Sequence, residues 1–445
     1  MSRTPIIDFI NEYNRSGTVR LHIPGHKGRD LTGAEMLDIT EIKGADSLFE
    51  ADGVIAESER NMSALYGSAR TVYSTEGSSL SIRAMLAAAR EYKGELKVAA
   101  ARGCHKAFLD SCILLGLDPV WIRPEGETKG ICSAKVTAED VRRALDEAPE
   151  INAVYLTSPD YYGNMADIPG ISRVCHSRGA LLLVDNAHGA YLKFAGSQHP
   201  LDNGADICCD SAHKTLPALT GTSLLHISAS APKELAVCAK EAMALFASTS
   251  PSYVLLCSLD RCVSELERDY AQRVREMCAE LEIIKEQLSA AGWELIGDEP
   301  MKLTVSALAK GLSGRDTAEE LRRRGIEPEY ADELCCVMMP TPCLAAGELQ
   351  RTASALTDII RSAEGNAPAE PLPPLPRPEK ALSPREAYMR PHRRIPIDEA
   401  AGRICARGAL SCQPSVPIIV GGEIFDEETV KILKRYSFFE ADVVE

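Results

Sequence analysis

The chain has 445 residues, 45% hydrophobic and 25% charged, a balance that excludes a wholly disordered or collagen-like protein. That length is enough for roughly two or three domains with a large buried core. Its 49 basic and 64 acidic residues leave a net charge of −15, a field that repels polyphosphate and disfavours nucleic acid as the main partner.

The N-terminus, Met1 to Arg20, lacks an apolar signal core, and no run of about 18 apolar residues occurs anywhere, so a cytoplasmic protein without a membrane span is expected. Residues 5–16 read as a short amphipathic helix. Ile6, Ile7, Phe9, Ile10 and Tyr13 share one face, and Gly17 stops it. The stretch Leu21 to Gly28 holds too much Pro, Gly and His for an element interior and reads as an ordered loop or arm.

From about 55 to 230 the pattern is α/β. Helices are predicted over Ile55–Tyr66 and Ser78–Tyr92, and strands over Arg70–Ser74, Lys97–Ala101, Ala153–Thr157, Ala180–Val184, Ile207–Cys209 and Ser223–Ile227. Continuous apolar strands alternating with helices predict a mainly parallel sheet covered on both faces. Residues 256–291 read as a long charged helix leaving this domain.

The expected division is an N-terminal helix and arm (1–54), a large domain with its exit helix (55–291), a small α+β domain (292–366), a linker (367–380) and a C-terminal domain (381–445). The linker is placed by six prolines from Pro368 to Pro378, a composition that favours a stiff extended segment. The 15 cysteines include no Cys-x-x-Cys spacing, which leaves a zinc ribbon or thioredoxin-like site unsupported; reduced, mostly buried thiols are expected.

Four short stretches carry chemistry. Asp210-Ser211-Ala212-His213-Lys214-Thr215 directly follows an apolar strand. A lone lysine there is ordinarily a surface residue. A Schiff-base lysine needs neighbours that hold an anionic phosphate, and Ser211 and His213 have that chemistry. Val184-Asp185-Asn186-Ala187-His188-Gly189 closes another strand. An aspartate at a strand's carboxyl end points into the crevice where α/β sheets bind ligands, and it can pair with a protonated pyridine nitrogen; it can also be a simple turn or cap residue.

The third stretch, Ser74 to Ser81, joins a strand to a helix and includes Ser78 and Ser79. Helix N-terminal N–H groups with two hydroxyls make a phosphate site, although serine is also a common cap. The fourth is His105, soon after the strand ending near Ala101. The order is phosphate loop, ring histidine, aspartate, lysine, with 29 residues from Asp185 to Lys214. It resembles the large domain of fold-type-I pyridoxal-phosphate enzymes.

The resemblance narrows further. Ser-Ala-His-Lys-Thr-Leu with Leu219–Ile227, Asp-Asn-Ala-His-Gly, His-Ile-Pro-Gly-His-Lys-Gly near the start and Ser248-Thr249-Ser250-Pro251-Ser252-Tyr253 are similar to the ornithine/lysine/arginine decarboxylase family. So are Ala401-Gly402-Arg403-Ile404 and Gly421-Gly422-Glu423. The similarity runs over nearly the whole chain and matches the short bacterial form, without an N-terminal response-regulator-like wing.

The resemblance implies a carboxy-lyase that removes the α-carboxylate of arginine, lysine or ornithine with pyridoxal 5'-phosphate, in polyamine-related metabolism. It makes Lys214 the Schiff-base lysine, Asp185 the partner of the pyridine nitrogen and His105 the histidine stacked on the ring. Ser78, Ser79, Ser211 and His213 match phosphate contacts, and His188 a position beside the ring. Lys214 or His188 is then the proton donor to the α-carbon. No metal is implied. Ser248, Thr249 and Ser250 match a piece that reaches a neighbouring subunit's phosphate pocket, which implies a homodimer or larger assembly.

One stretch departs from the family. Where many members carry Tyr-Pro-Pro-Gly-Ile-Pro, this chain has Ser411-Cys412-Gln413-Pro414-Ser415-Val416-Pro417. That region shapes the substrate end of the family's pocket, so the departure bears on the substrate more than on the reaction. Two other readings stay open at this point. One is aminotransfer or aldol cleavage, with Arg403 or Arg407 for a carboxylate; the other is a non-catalytic cofactor-binding homologue.

Overall fold

A computed structural model of the chain describes residues 4–125, 130–133, 135–363, 365–369, 374–410 and 416–445. Residues 370–373 of the Pro-rich stretch and 411–415 of the divergent stretch lie outside the described residues. The chain forms two compact units, Met1–Leu96 with Ile171–Val274, and Lys97–Gly170 with Arg275–Glu445.

In the first unit the strands lie in the order Ser68–Ser74, Ser223–Ser228, Ile207–Asp210, Leu181–Asp185. Leu181–Asp185 and Ile207–Asp210 pair in parallel, with Asp185 beside Cys209. Ser223–Ser228 runs antiparallel to both of its neighbours. The other three strands therefore point the same way, and their carboxyl ends share one edge. Nearly every residue of these four strands is buried, which is why the sequence shows apolar runs rather than alternation.

The predicted elements are present, with ends moved by at most three residues and Ala153–Thr157 as predicted. The phosphate-loop helix spans Gly77–Lys93 and packs on Lys233–Phe246 and on the strands. The exit helix begins earlier than expected, at Tyr253, because the Ser252 hydroxyl accepts the N–H of Leu255 and caps it. Its helical path then includes one π turn, Leu266–Tyr270, before Ala271–Ala291.

The N-terminal helix, Pro5–Arg15, buries Ile6 and Ile10. The Asp260 carboxylate accepts the N–H groups of Ile6 and Ile7 at 3.0 and 3.1 Å and the Ser58 hydroxyl at 2.7 Å. Burial pushes this carboxyl up to about 6, against the hydrogen bonds that favour its charged form. The folded chain thus binds the Asp260 proton more tightly than the unfolded chain. Its contribution is fully present in acid and is lost as pH rises to about 6. Asp260→Asn keeps an acceptor for the helix and removes the buried charge. From about pH 4 to about pH 7, the variant's unfolding free energy should gain on the parent's by about 2 kcal/mol. Denaturant titrations at the two pH values check this; a constant difference would remove Asp260 as the titrating group.

In the second unit Val98–Ala101 pairs in parallel with Val120–Ile122 and with Ala153–Thr157. A four-stranded antiparallel sheet follows, in the order Tyr330–Ala331, Cys336–Met338, Leu303–Ser306, Glu294–Ile296. Near the C-terminus His392–Pro396 pairs with Glu440–Val444. Among the described residues, no helix is long and apolar enough to cross a membrane.

Candidate active site

Strand direction in the first unit assembles the site. Ser74, Asp185 and Asp210 end three strands that share a direction, so the loops after them emerge at one edge, where open α/β sheets bind ligands. The antiparallel strand contributes its start to the same edge: Ser74 faces Ser223, and the N–H of Gly77 donates to the Gly221 carbonyl at 2.7 Å. Gly77 has a φ of +69°, a left-handed turn that glycine adopts without strain as the chain enters the helix.

Lys214 lies in the short turn Ala212–Thr215; the Lys214 N–H donates to the Ser211 carbonyl at 3.1 Å. The Lys214 Nζ is 3.0 Å from His188 Nε2. The Ser211 hydroxyl donates to Ser78 Oγ at 2.8 Å, which joins the lysine turn to the N-terminus of the helix Gly77–Lys93. His213 Nδ1 is 2.9 Å from the Thr222 carbonyl, an acceptor only, so this nitrogen carries the proton. Ser79 is half-buried in the first turn of the same helix.

Asp185 is 2% exposed. Its Oδ1 accepts the Ala187 N–H at 3.1 Å and the Cys209 thiol at 3.6 Å. The first unit therefore gathers Ser78, Ser79, Asp185, His188, Ser211, His213 and Lys214 around the loops of one sheet edge. Ser248, Thr249 and Ser250 are exposed, and the Ser248 N–H donates to the Glu76 carboxylate at 2.8 Å, next to the start of the phosphate-loop helix.

His105 belongs to the second unit. It is the N-cap of the helix Lys106–Leu115, with Nδ1 accepting the Ala107 N–H at 3.1 Å. Its loop is anchored by Arg102, whose guanidinium lies over the Trp121 ring at 4.9 Å and donates to Glu423 Oε2 at 2.7 Å. Burial pushes the Glu423 carboxyl up, against the pull of Arg102. Gly421-Gly422-Glu423 thus braces the segment that carries His105. No spacing in the sequence pairs Arg102 with a residue more than 300 positions away.

A second group was not anticipated. Asp210, fully buried, accepts Asn186 Nδ2 at 2.7 Å and lies 3.0 Å from His199 Nε2 and 3.2 Å from His226 Nε2. With Cys208 this cluster has metal-ligand chemistry, but its carboxylate, imidazoles and thiol are engaged in hydrogen bonds, and burial drives the Cys208 thiol pKa well up, away from the thiolate a metal needs. The one sequence signal was Asp210 itself, a charged residue between an apolar strand and Ser211.

The profile described as "Orn/Lys/Arg decarboxylase, major domain" matches residues 4–296, and that of the C-terminal domain of the same family matches 374–442. The chain is 30% identical to the Bacillus subtilis protein YaaO, over 97% of this chain and 94% of that one. It is 29% identical to a B. subtilis protein named arginine decarboxylase, over 97% and 93%. Among solved structures, lysine decarboxylase A from Pseudomonas aeruginosa matches with a TM-score of 0.81 at 17% identity, over 99% of this chain and 80% of that one. The constitutive lysine decarboxylase of Escherichia coli matches with a TM-score of 0.79 at 16% identity, over 100% and 82%. The large domain accordingly has the fold-type-I architecture that the order of its sequence motifs suggested. Matched over both its major and its C-terminal domain, the chain belongs to the Orn/Lys/Arg decarboxylase family and is a carboxy-lyase.

Proposed function

We propose that this carboxy-lyase uses pyridoxal 5'-phosphate to decarboxylate a basic amino acid, arginine, lysine or ornithine, to the corresponding amine of polyamine-related metabolism. The observation that carries the reading is the meeting, at one sheet edge, of Lys214 with His188, a buried Asp185 carboxylate and the Ser78–Ser211 hydroxyl pair.

These donors fit the group. The helix N-terminus at Gly77, with Ser78, Ser79, Ser211 and His213, suits a phosphate dianion. Asp185 suits a cationic ring nitrogen, and Lys214 a carbonyl carbon. When bound, the cofactor supplies a conjugated ring that takes up the electron pair left as carbon dioxide departs. Asp185 keeps a proton on the ring nitrogen. Lys214 Nζ and His188 Nε2, 3.0 Å apart, form the route by which a proton reaches the α-carbon. The family resemblance gives His105, the helix cap braced through Arg102, the role of the histidine stacked on the cofactor ring.

A purified sample with pyridoxal phosphate should release carbon dioxide and one amine from one of the three amino acids. The relatives named arginine decarboxylase, 28–29% identical, put arginine first. Keto acid in place of amine, or no turnover of any of the three, would overturn the proposal.

We read Ser248, Thr249 and Ser250 as a contribution to a second copy's phosphate site, supported by their exposure beside Glu76. Replacing all three with alanine should weaken cofactor affinity and the dimer together, as linkage requires. Sedimentation and cofactor titration read both; unchanged affinity in a stable dimer would defeat the shared site.

A further inference from the structure

The carboxylate that ends the strand Ile207–Asp210 has donors from separate parts of the first unit. Asn186 Nδ2, at 2.7 Å, comes from the turn directly after Asp185. His199 Nε2, at 3.0 Å, comes from the cap of the turn Pro200–Asn203; its Nδ1 accepts the Leu201 N–H, so Nε2 carries the proton. His226 Nε2, at 3.2 Å, comes from the middle of the antiparallel strand, and His226 Nδ1 is held at 2.8 Å by the Thr71 hydroxyl. Tyr66 stacks on the His226 ring with centroids 4.3 Å apart. Asp210, His199 and His226 are all 0% exposed.

The geometry shows what this arrangement holds. Asp210 is the residue between Cys209, whose thiol donates to Asp185 and whose carbonyl accepts the Asn186 N–H at 2.9 Å, and Ser211, which begins the lysine turn. Successive residues of a strand face opposite ways, so Cys209 meets Asp185 on one face of the sheet while Asp210 meets the histidines on the other. Asn186 bridges the two: its backbone binds Cys209 and its amide binds Asp210. That amide orientation leaves Asn186 Oδ1 buried with no partner among the described residues. Burial alone would drive the Asp210 proton on; the two rings reverse this and hold the carboxyl well below its ordinary range.

We propose that Asp210 is a positioning residue of the lyase site, fixing through Asn186 the turn that carries Asp185 and through its own backbone the turn that carries Lys214. One carboxylate thereby sets the spacing between the group that meets the cofactor's ring nitrogen and the group that meets its carbonyl carbon. This rests on the reading of Asp185 and Lys214 under Proposed function.

The test uses the full-length holoenzyme and two variants. Asp210→Asn keeps the shape and removes the charge; Asn186→Ala cuts only the link to the Asp185 turn and leaves Asp210 with both histidines. Each should raise the dissociation constant for pyridoxal phosphate, shift the visible absorbance of the bound cofactor and lower kcat on the order of 10-fold or more, as small misplacements of reacting groups do. KM should stay within about twofold, because the substrate's own contacts are untouched. Should Asp210→Asn not fold, Asn186→Ala decides by the same readouts. Lower melting temperatures with parental cofactor affinity, absorbance and kcat would make the cluster structural only and overturn the proposal. Failure of the underlying reading looks different: the parent protein itself would show no bound cofactor or turn over no basic amino acid.

Discussion

Lys214→Ala is expected to lower turnover by about 10³-fold or more and to remove the protein-bound visible absorbance of the cofactor. The lysine stands alone in its turn as an amine. Its Nζ is 3.0 Å from His188 Nε2, so the substitution removes both the attachment point and one end of the proton route. The fold should survive. The turn Ala212–Thr215 is held by backbone bonds and by the Ser211–Ser78 pair, neither of which uses the lysine side chain. Activity assays and absorbance spectra of the variant, with melting temperature as the control, check this. Parental turnover would show that another lysine does the work.

Asp185→Asn is expected to retain cofactor and to lose activity on the order of 10²-fold or more. The substitution is nearly isosteric, and an amide oxygen can still accept the Ala187 N–H that Asp185 Oδ1 now accepts. What it cannot do is stabilise a proton on the ring nitrogen, and without that charge the ring is a poorer acceptor of electrons. The loss should therefore fall on kcat, with cofactor stoichiometry near the parent's. Wild-type rates in the variant would take Asp185 out of this role.

The parts of the site that could be read from the sequence are those whose geometry is local. Asp185 and Lys214 each stand just past an apolar run, and in a buried parallel strand an apolar run ends where the chain leaves the sheet. Reading the runs therefore located the edge. Ser78 was legible for a similar reason, as a hydroxyl at the start of a strongly periodic helix, the observed Gly77–Lys93.

Other features were opaque because their cause is non-local. The bonds of Asp210 to His199 and His226 span 11 and 16 residues and depend on strand order, which apolarity does not encode. Arg102 and Glu423 are 321 residues apart. Val120–Ile122, a short strand in the second unit, is half-exposed around Trp121 and lacks the continuous apolar run of the strands that were predicted. Ser252 stands in the family-like stretch Ser248–Tyr253 and caps the helix Tyr253–Glu265; a cap and a loop serine look alike until the following turn is seen.

The proposed function stands or falls on the Lys214 turn holding pyridoxal phosphate. The most direct measurement is borohydride reduction of the cofactor-loaded protein, followed by proteolysis and mass spectrometry of the peptides. The expected result is a pyridoxyl-phosphate mass added to the peptide containing Ser211-Ala212-His213-Lys214-Thr215, with fragment ions that place it on Lys214. The same mass on a different lysine, or no adduct in a protein that still releases carbon dioxide from a basic amino acid, would contradict it.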